Sequence, residues 1–231
     1  MPTPPIADTP PVAPKVAYYF NDEQTCTATC AIGTTFSVTV AAGAFKSGRS
    51  KAIANQLAYS QACKAAQQFI ACIGPIDPVA CADTFYSDDI EIIRKGAPIT
   101  PSTLTVNPDD LPPGITISGN HLEGNPTTPG TYPFDINATI LIPPFTVTIH
   151  DILTIRVMEI TTASPLPQGA VIEPYSETLA AAGTSGAVSW QIDSGALPPG
   201  LTLEEDTGII SGTPTTAGTY NFTVSIQDQA T

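Results

Sequence analysis

The side chains able to do chemistry are few and unevenly placed. Five cysteines (Cys26, Cys30, Cys63, Cys72 and Cys81) all precede residue 82, and the two histidines, His121 and His150, lie beyond it. Zinc sites favour two to four residues between paired ligands in both halves, a spacing that this series does not keep, so no metal site is expected. Cys63 and Cys72 stand about half a turn out of phase on a helix and are not expected to pair with each other. Bridges from Cys26 or Cys30 to Cys72 or Cys81 are expected instead, with one cysteine left over. A bridge closing a loop of about 40 residues would contribute about 3–4 kcal/mol. Buried free thiols are the competing reading.

Nothing else in the chain has the form of a catalytic motif. Neither histidine sits in one, and no GxSxG or helix-opening glycine loop is found. Acidic clusters occur at Asp88-Asp89, Asp109-Asp110 and Glu204-Glu205-Asp206. Neighbours on a strand point to opposite faces, so such pairs make poor acid/base couples and are at home in turns. Calcium at Glu204–Asp206 would lack the ligand motifs of calcium-binding surface repeats. Asn137-Ala-Thr139 and Asn221-Phe-Thr223 match glycosylation sequons. No catalytic residue and no cofactor are expected.

The elements around these residues fall into three regions. Residues 1–20 begin Pro-rich and form an extended arm. Its end, KVAYYF, has strand composition, so Lys15, Val16, Tyr18, Tyr19 and Phe20 are candidates for pairing with a neighbouring chain. Residues 21–82 form a small α+β unit: FSVTV (Phe36–Val40) alternates as a strand, and Ser50 can cap a helix running to about Cys72. Ile53, Leu57, Ala65 and Phe69 are expected to face the strand, and Gly74-Pro75 to end the helix.

Cys30, TFSVTVAAGAFKS and an Ala/Gln-rich helix closing on Cys72 resemble a small module of phage tail proteins and Bacteroidetes-type surface proteins. Lys46, Arg49 and Lys51 depart from its pattern. The module has no assigned chemistry, so the resemblance implies a context rather than an activity.

Residues 83–159 and 160–231 hold near-copies of one pattern, LPPGITISGNHLEGNPTTPGTYPFDI (Leu111–Ile136) and LPPGLTLEEDTGIISGTPTTAGTYNFTV (Leu197–Val224). In each, Pro-Pro-Gly forces a turn, and a strand of period two follows Thr-Tyr. Tyr132, Tyr220 and Trp190 are candidate core aromatics. The pattern resembles the immunoglobulin-like (He_PIG-type) repeats of bacterial surface and phage proteins. That resemblance implies two tandem β-sandwiches, and a spacer or binding role. After its Tyr132 strand the first module runs on through FTVTIHDILTIRVMEI, whereas the second has no such strand. Its open edge is expected to be completed by further chain or by another chain, with Lys15–Phe20 as donor candidate.

Residues 1–95 carry eight acids and seven bases, while residues 96–231 carry 13 acids and one base, Arg156. Such an acidic surface repels nucleic acid and anionic lipid, and no apolar run is long enough to span a bilayer. MPTPPIADTPPVAPK lacks the basic start and apolar core of a signal peptide, which suits a leader already removed or a protein released by lysis. The expectation is a mainly β, non-enzymatic protein of the phage virion surface: a capsid decoration protein, head fibre or tail-associated fibre. Its N-terminal region would attach to other virion proteins or to copies of itself, with host-surface glycans as a further partner class. A bacterial surface adhesin or surface-layer stalk, and a secreted carbohydrate-binding module, are the alternatives.

Overall fold

The computed structural model describes residues 18–30, 34–69, 71–74, 76, 78–94 and 97–229, apart from the side chains of Ala71 and Cys72. Lys15 and Val16 of the expected arm lie outside the described residues. The first third of the chain runs β1 (Tyr19–Phe20), β2 (Gln24–Thr29), β3 (Thr35–Val40), β4 (Lys46–Ser47), α1 (Lys51–Phe69), β5 (Ala71–Ile73) and β6 (Val79–Cys81). There follow β7 (Tyr86–Asp89), β8 (Ile92–Arg94), β9 (Ala97–Ile99), β10 (Thr103–Val106), β11 (Ile115–Ser118), β12 (His121–Gly124), β13 (Gly130–Ile142) and β14 (Phe145–Ile160). The last part holds β15 (Tyr175–Thr178), β16 (Ala181–Ala182), β17 (Val188–Gly195), β18 (Leu201–Leu203), β19 (Ile209–Gly212) and β20 (Phe222–Asp228). The protein is mainly β, with α1 as the α-helix of the described residues.

Helix α1 starts where its cap dictates. The Ser50 hydroxyl accepts from the Ile53 amide at 3.2 Å, meeting one of the donors that a helix start leaves unpaired. Its buried stripe is not the expected one. Ala54, Ala58, Ala62 and Ala66 are buried at i, i+4 spacing with Phe69, while Ile53 and Leu57 face water. Alanine lets the helix axis approach β2 and β3 closely, so small residues rather than large ones mark the contact face. The helix ends at Phe69, short of Cys72, because the chain turns at once into β5, which pairs with β8.

Strand β14 organises the rest. It pairs antiparallel with β13 from Phe145↔Ile142 to Val157↔Gly130. On its other side it takes β3 over Phe145–His150, then β6 in parallel over Arg156–Met158. Its last two residues pair with β16. Residues 21–82 and 83–159 therefore share one sheet, and Phe36, Val38, Ala66 and Phe69 share a core with Phe134, Ile136, Val147 and Ile155. The three-stranded sheet β7–β12–β11 covers that core through Tyr86, Leu122 and Ile115. Residues read from sequence as two units fold here as one, because a period of two identifies strands but not their partners.

Among the described residues the second module repeats the plan with fewer strands. Sheet β15–β19–β18 faces the pair β17–β20 around Leu179, Trp190 and Ile210. Its turns match those of the first module atom for atom. The Ile115 amide donates to the Pro112 carbonyl at 2.9 Å, and the Leu201 amide to that of Pro198 at 3.0 Å. Thr127 and Thr215 donate to Pro113 and Pro199 at 2.9 and 2.8 Å. Gly200 and Gly212 (φ +96° and +137°) cross so closely that a Cβ on Gly212 would stand 2.1 Å from the Gly200 carbonyl oxygen. Gly114 and Gly124 do the same in the first copy, which is the backbone reason for the repeated glycines.

Candidate functional site

The cysteines resolve into a pattern different from the one expected. Cys26 of β2 is bonded to Cys63 of α1, across a sequence separation of 37. Cys81, a bridge candidate by sequence, is free and exposed at the end of β6. Cys30 is disulfide-bonded as well, and the Cys72 side chain lies outside the description. The phase of Cys63 relative to Cys72 along the helix does not reveal this partner, because the bond depends on the docking of the whole helix on β2. The bridge ties helix to sheet on the same side as the alanine stripe.

One arrangement of chemical groups could not be read from sequence. Ser87 and Asp89 share a face of β7, and His121 on β12 stands opposite Asp89 in register. The imidazole Nδ1 lies 2.7 Å from Asp89 Oδ1, and Nε2 lies 3.4 Å from Ser87 Oγ. This is the order of groups in a nucleophilic triad. Here, however, it lies on an open sheet face, with His121 and Asp89 side chains 38% and 57% exposed. Water reaches every member, which denies the set the water-excluded setting that such a triad depends on. The set works as a cross-strand polar ladder. Among the described residues no group of three or more His, Cys, Asp or Glu could hold a metal ion.

The expected core aromatics sit as follows. Trp190 is buried and packs on Gly208, where a Cβ would meet the indole at 2.7 Å. Tyr132 and Tyr220 are half-buried, and their hydroxyls donate to the carbonyls of Thr128 and Thr216, at 3.0 and 3.4 Å. Each thereby closes the corner that leads into its strand, as the tyrosine corner of immunoglobulin sandwiches does. Tyr18, Tyr19 and Phe20 of the arm are exposed, and Tyr19–Phe20 pairs with Ser47–Lys46 of β4.

Two further features concern how modules join and what they leave open. At the joint, the Arg156 guanidinium of β14 donates to Asp228 of β20 at 2.6 Å, and the Ser185 amide and hydroxyl donate to the same carboxylate. The pairing of Glu159–Ile160 with Ala182–Ala181 lies beside it. Away from the joint, the core of the second module is exposed along β20. Phe134, Ile136 and Ala138 of β13 are fully buried, whereas their repeat equivalents Phe222, Val224 and Ile226 are only partly buried. The gap is a groove of about 810 Å³, lined by Tyr175, Leu179, Leu201, Ile210, Phe222 and Val224 among others. Burial, followed by the charge of Glu177, raises the Tyr175 phenol above the usual tyrosine range.

No curated protein matches the chain. Residues 157–231 match the family model He_PIG, described as "Putative Ig domain". The match opens inside β14, next to the residues that leave β13 and pair with β16, so the second module, whose repeat is shared with the first, is similar to that immunoglobulin-like family.

Proposed function

We propose that this is a non-enzymatic structural protein of a virion surface, attached through its N-terminal region and projecting its immunoglobulin-like modules outward. The observation that carries the reading is the continuity of β14. One strand completes the first sandwich, takes up β3 and β6 of the N-terminal residues, and hands over to β16 of the second module. A chain built this way transmits force and holds a fixed reach, which are the properties of a spacer. The charge distribution supports the same polarity, near-neutral at the proposed attachment end and strongly acidic at the projecting end. Acidic outer surfaces keep neighbouring copies soluble and apart.

The test is localisation. Antibodies raised against residues 157–231 should decorate intact particles in electron micrographs, and the protein should co-sediment with them. Decoration of the bacterial envelope instead would establish the adhesin or surface-layer reading. Glycan-array binding by a protein found on neither surface would establish the carbohydrate-binding one.

A further inference from the structure

We propose that a cleft at one end of the first module, between the β7–β8 turn and the β9–β10 connection, binds a primary ammonium group carried on an aliphatic chain. The cleft holds about 420 Å³. Its middle is the segment 89–92, which leads from β7 into β8. On one side the Ile90 amide donates to the Asn120 carbonyl at 2.8 Å, and on the other Ile92 pairs with Ile99. Residues alternate along the segment: Ile90 and Ile92 are buried, so Asp89 and Glu91 stand on the open side. These two carboxylates are the charged groups among the lining residues.

The polar groups are set to accept rather than to donate. His121 Nδ1 holds Asp89 Oδ1 at 2.7 Å, and the Asn120 side-chain amide donates to the Ile90 carbonyl at 3.2 Å. Asp89 Oδ2, the Glu91 carboxylate and Asn120 Oδ1 are left without a donor among the described residues. Opposite them Pro98, Ile99, Pro101 and Leu104 offer an aliphatic wall. A ligand that suits both sides carries N–H donors and positive charge at one end and methylene groups along the rest. A sugar would bring donors without charge, and no aromatic face lines the cleft for it to stack on.

The internal repeat shows that the fold does not require these side chains. In the second module the Leu179 amide donates to the Gly208 carbonyl at 2.9 Å, as Ile90 does to Asn120. Tyr175↔Gly212 likewise matches Tyr86↔Gly124. In the places of Asp89, Glu91 and Asn120 stand Thr178, Ala180 and Gly208. The same backbone is built there with no carboxylate and no side-chain amide, so the turn alone does not account for the three acceptors. A lysine side chain of a partner protein and a free polyamine share the chemistry that the cleft would take. The inference holds whether the protein serves a virion or a cell envelope.

Nuclear magnetic resonance titration of the full chain with cadaverine tests it. The amide signals of Ile90, Ile92 and Asn120 should shift and saturate, with a Kd of about 1 mM or below at low salt and weaker binding at high salt. 1,5-Pentanediol, which has the same chain and no charge, should leave these signals in place. Tighter binding of spermidine than of an N-acetyl-lysine peptide would assign the site to a free polyamine, and the reverse order to a partner's lysine. The combined change Asp89→Thr, Glu91→Ala and Asn120→Gly installs the second module's residues. It should weaken cadaverine binding by about tenfold or more while the circular dichroism stays that of the wild type. Glu91→Gln, which keeps the side-chain shape, replaces it if the combined variant fails to fold. Shifts that do not saturate, an equal response to 1,5-pentanediol, or unchanged binding by a folded variant would overturn the proposal.

Discussion

Arg156 and Asp228 meet at 2.6 Å with side chains only 13% and 1% exposed, one on β14 of the first module and the other on β20 of the second. Asp228 also accepts from the Ser185 amide and hydroxyl, so each of its oxygens has a donor. A buried pair of this kind is not a large net source of stability, since both ions lose water. Its value is positional: it fixes the angle between modules that β14 already connects.

Removing one partner is therefore more damaging than removing both. Asp228→Ala leaves the largely buried Arg156 charge without its acceptor, and should cost about 3–5 kcal/mol. The double change Arg156→Met with Asp228→Leu should recover most of that loss. Urea unfolding followed by emission from Trp190, the single tryptophan, reports on the second module and checks both outcomes. Equal losses in the single and double variants would refute the positional account.

The Cys26–Cys63 bridge holds α1 on β2. Replacing both cysteines with serine opens a loop with a sequence separation of 37 and should cost about 3–4 kcal/mol in the chain-entropy view. Helical circular dichroism should melt earlier in that variant and in reductant. The Trp190 transition should move little, because its core is separate from that of Phe36 and Val38. In native protein, Cys81 should take up a thiol reagent, since it is free and exposed.

Much of this was legible where the signal is local. The Ser50 cap, the strand at Phe36–Val40, the paired Pro-Pro-Gly turns and the alternation after Tyr132 each depend on residues within a few positions of one another. What could not be read depends on pairing at a distance. Nothing near Phe145 says that its strand will bridge β13 and β3, and nothing near Cys63 says that its helix will dock on Cys26. The alanine stripe misled for a physical reason: large residues usually mark a buried face, but close helix–sheet approach favours small ones. Ser87, Asp89 and His121 converge only through strand register, which separations in sequence do not display.

The repeated glycines give a comparison within one molecule. Gly212→Ala places a Cβ 2.1 Å from the Gly200 oxygen at φ +137°. Backbone strain alone costs about 1–3 kcal/mol, and the clash adds to it. Gly186→Ala meets nothing within 4 Å and should change stability by less than about 1 kcal/mol. Denaturation midpoints from Trp190 emission should separate the two variants clearly. Similar midpoints would mean that the crossing of Gly200 and Gly212 relaxes in solution.

Tyr175 connects stability to the state of the groove. Its folded pKa is raised, first by burial and then by the Glu177 charge, so the folded protein favours the neutral phenol. That contribution is complete below the ordinary tyrosine value and is lost as pH rises through the higher folded value. The second module should therefore weaken in strongly alkaline solution, and Tyr175→Phe should remove part of that dependence. Glu177→Gln should lower the phenol's titration midpoint, but by less than the whole shift, since burial is the larger cause. Absorbance titration of the phenolate, alongside urea midpoints across the alkaline range, measures both effects.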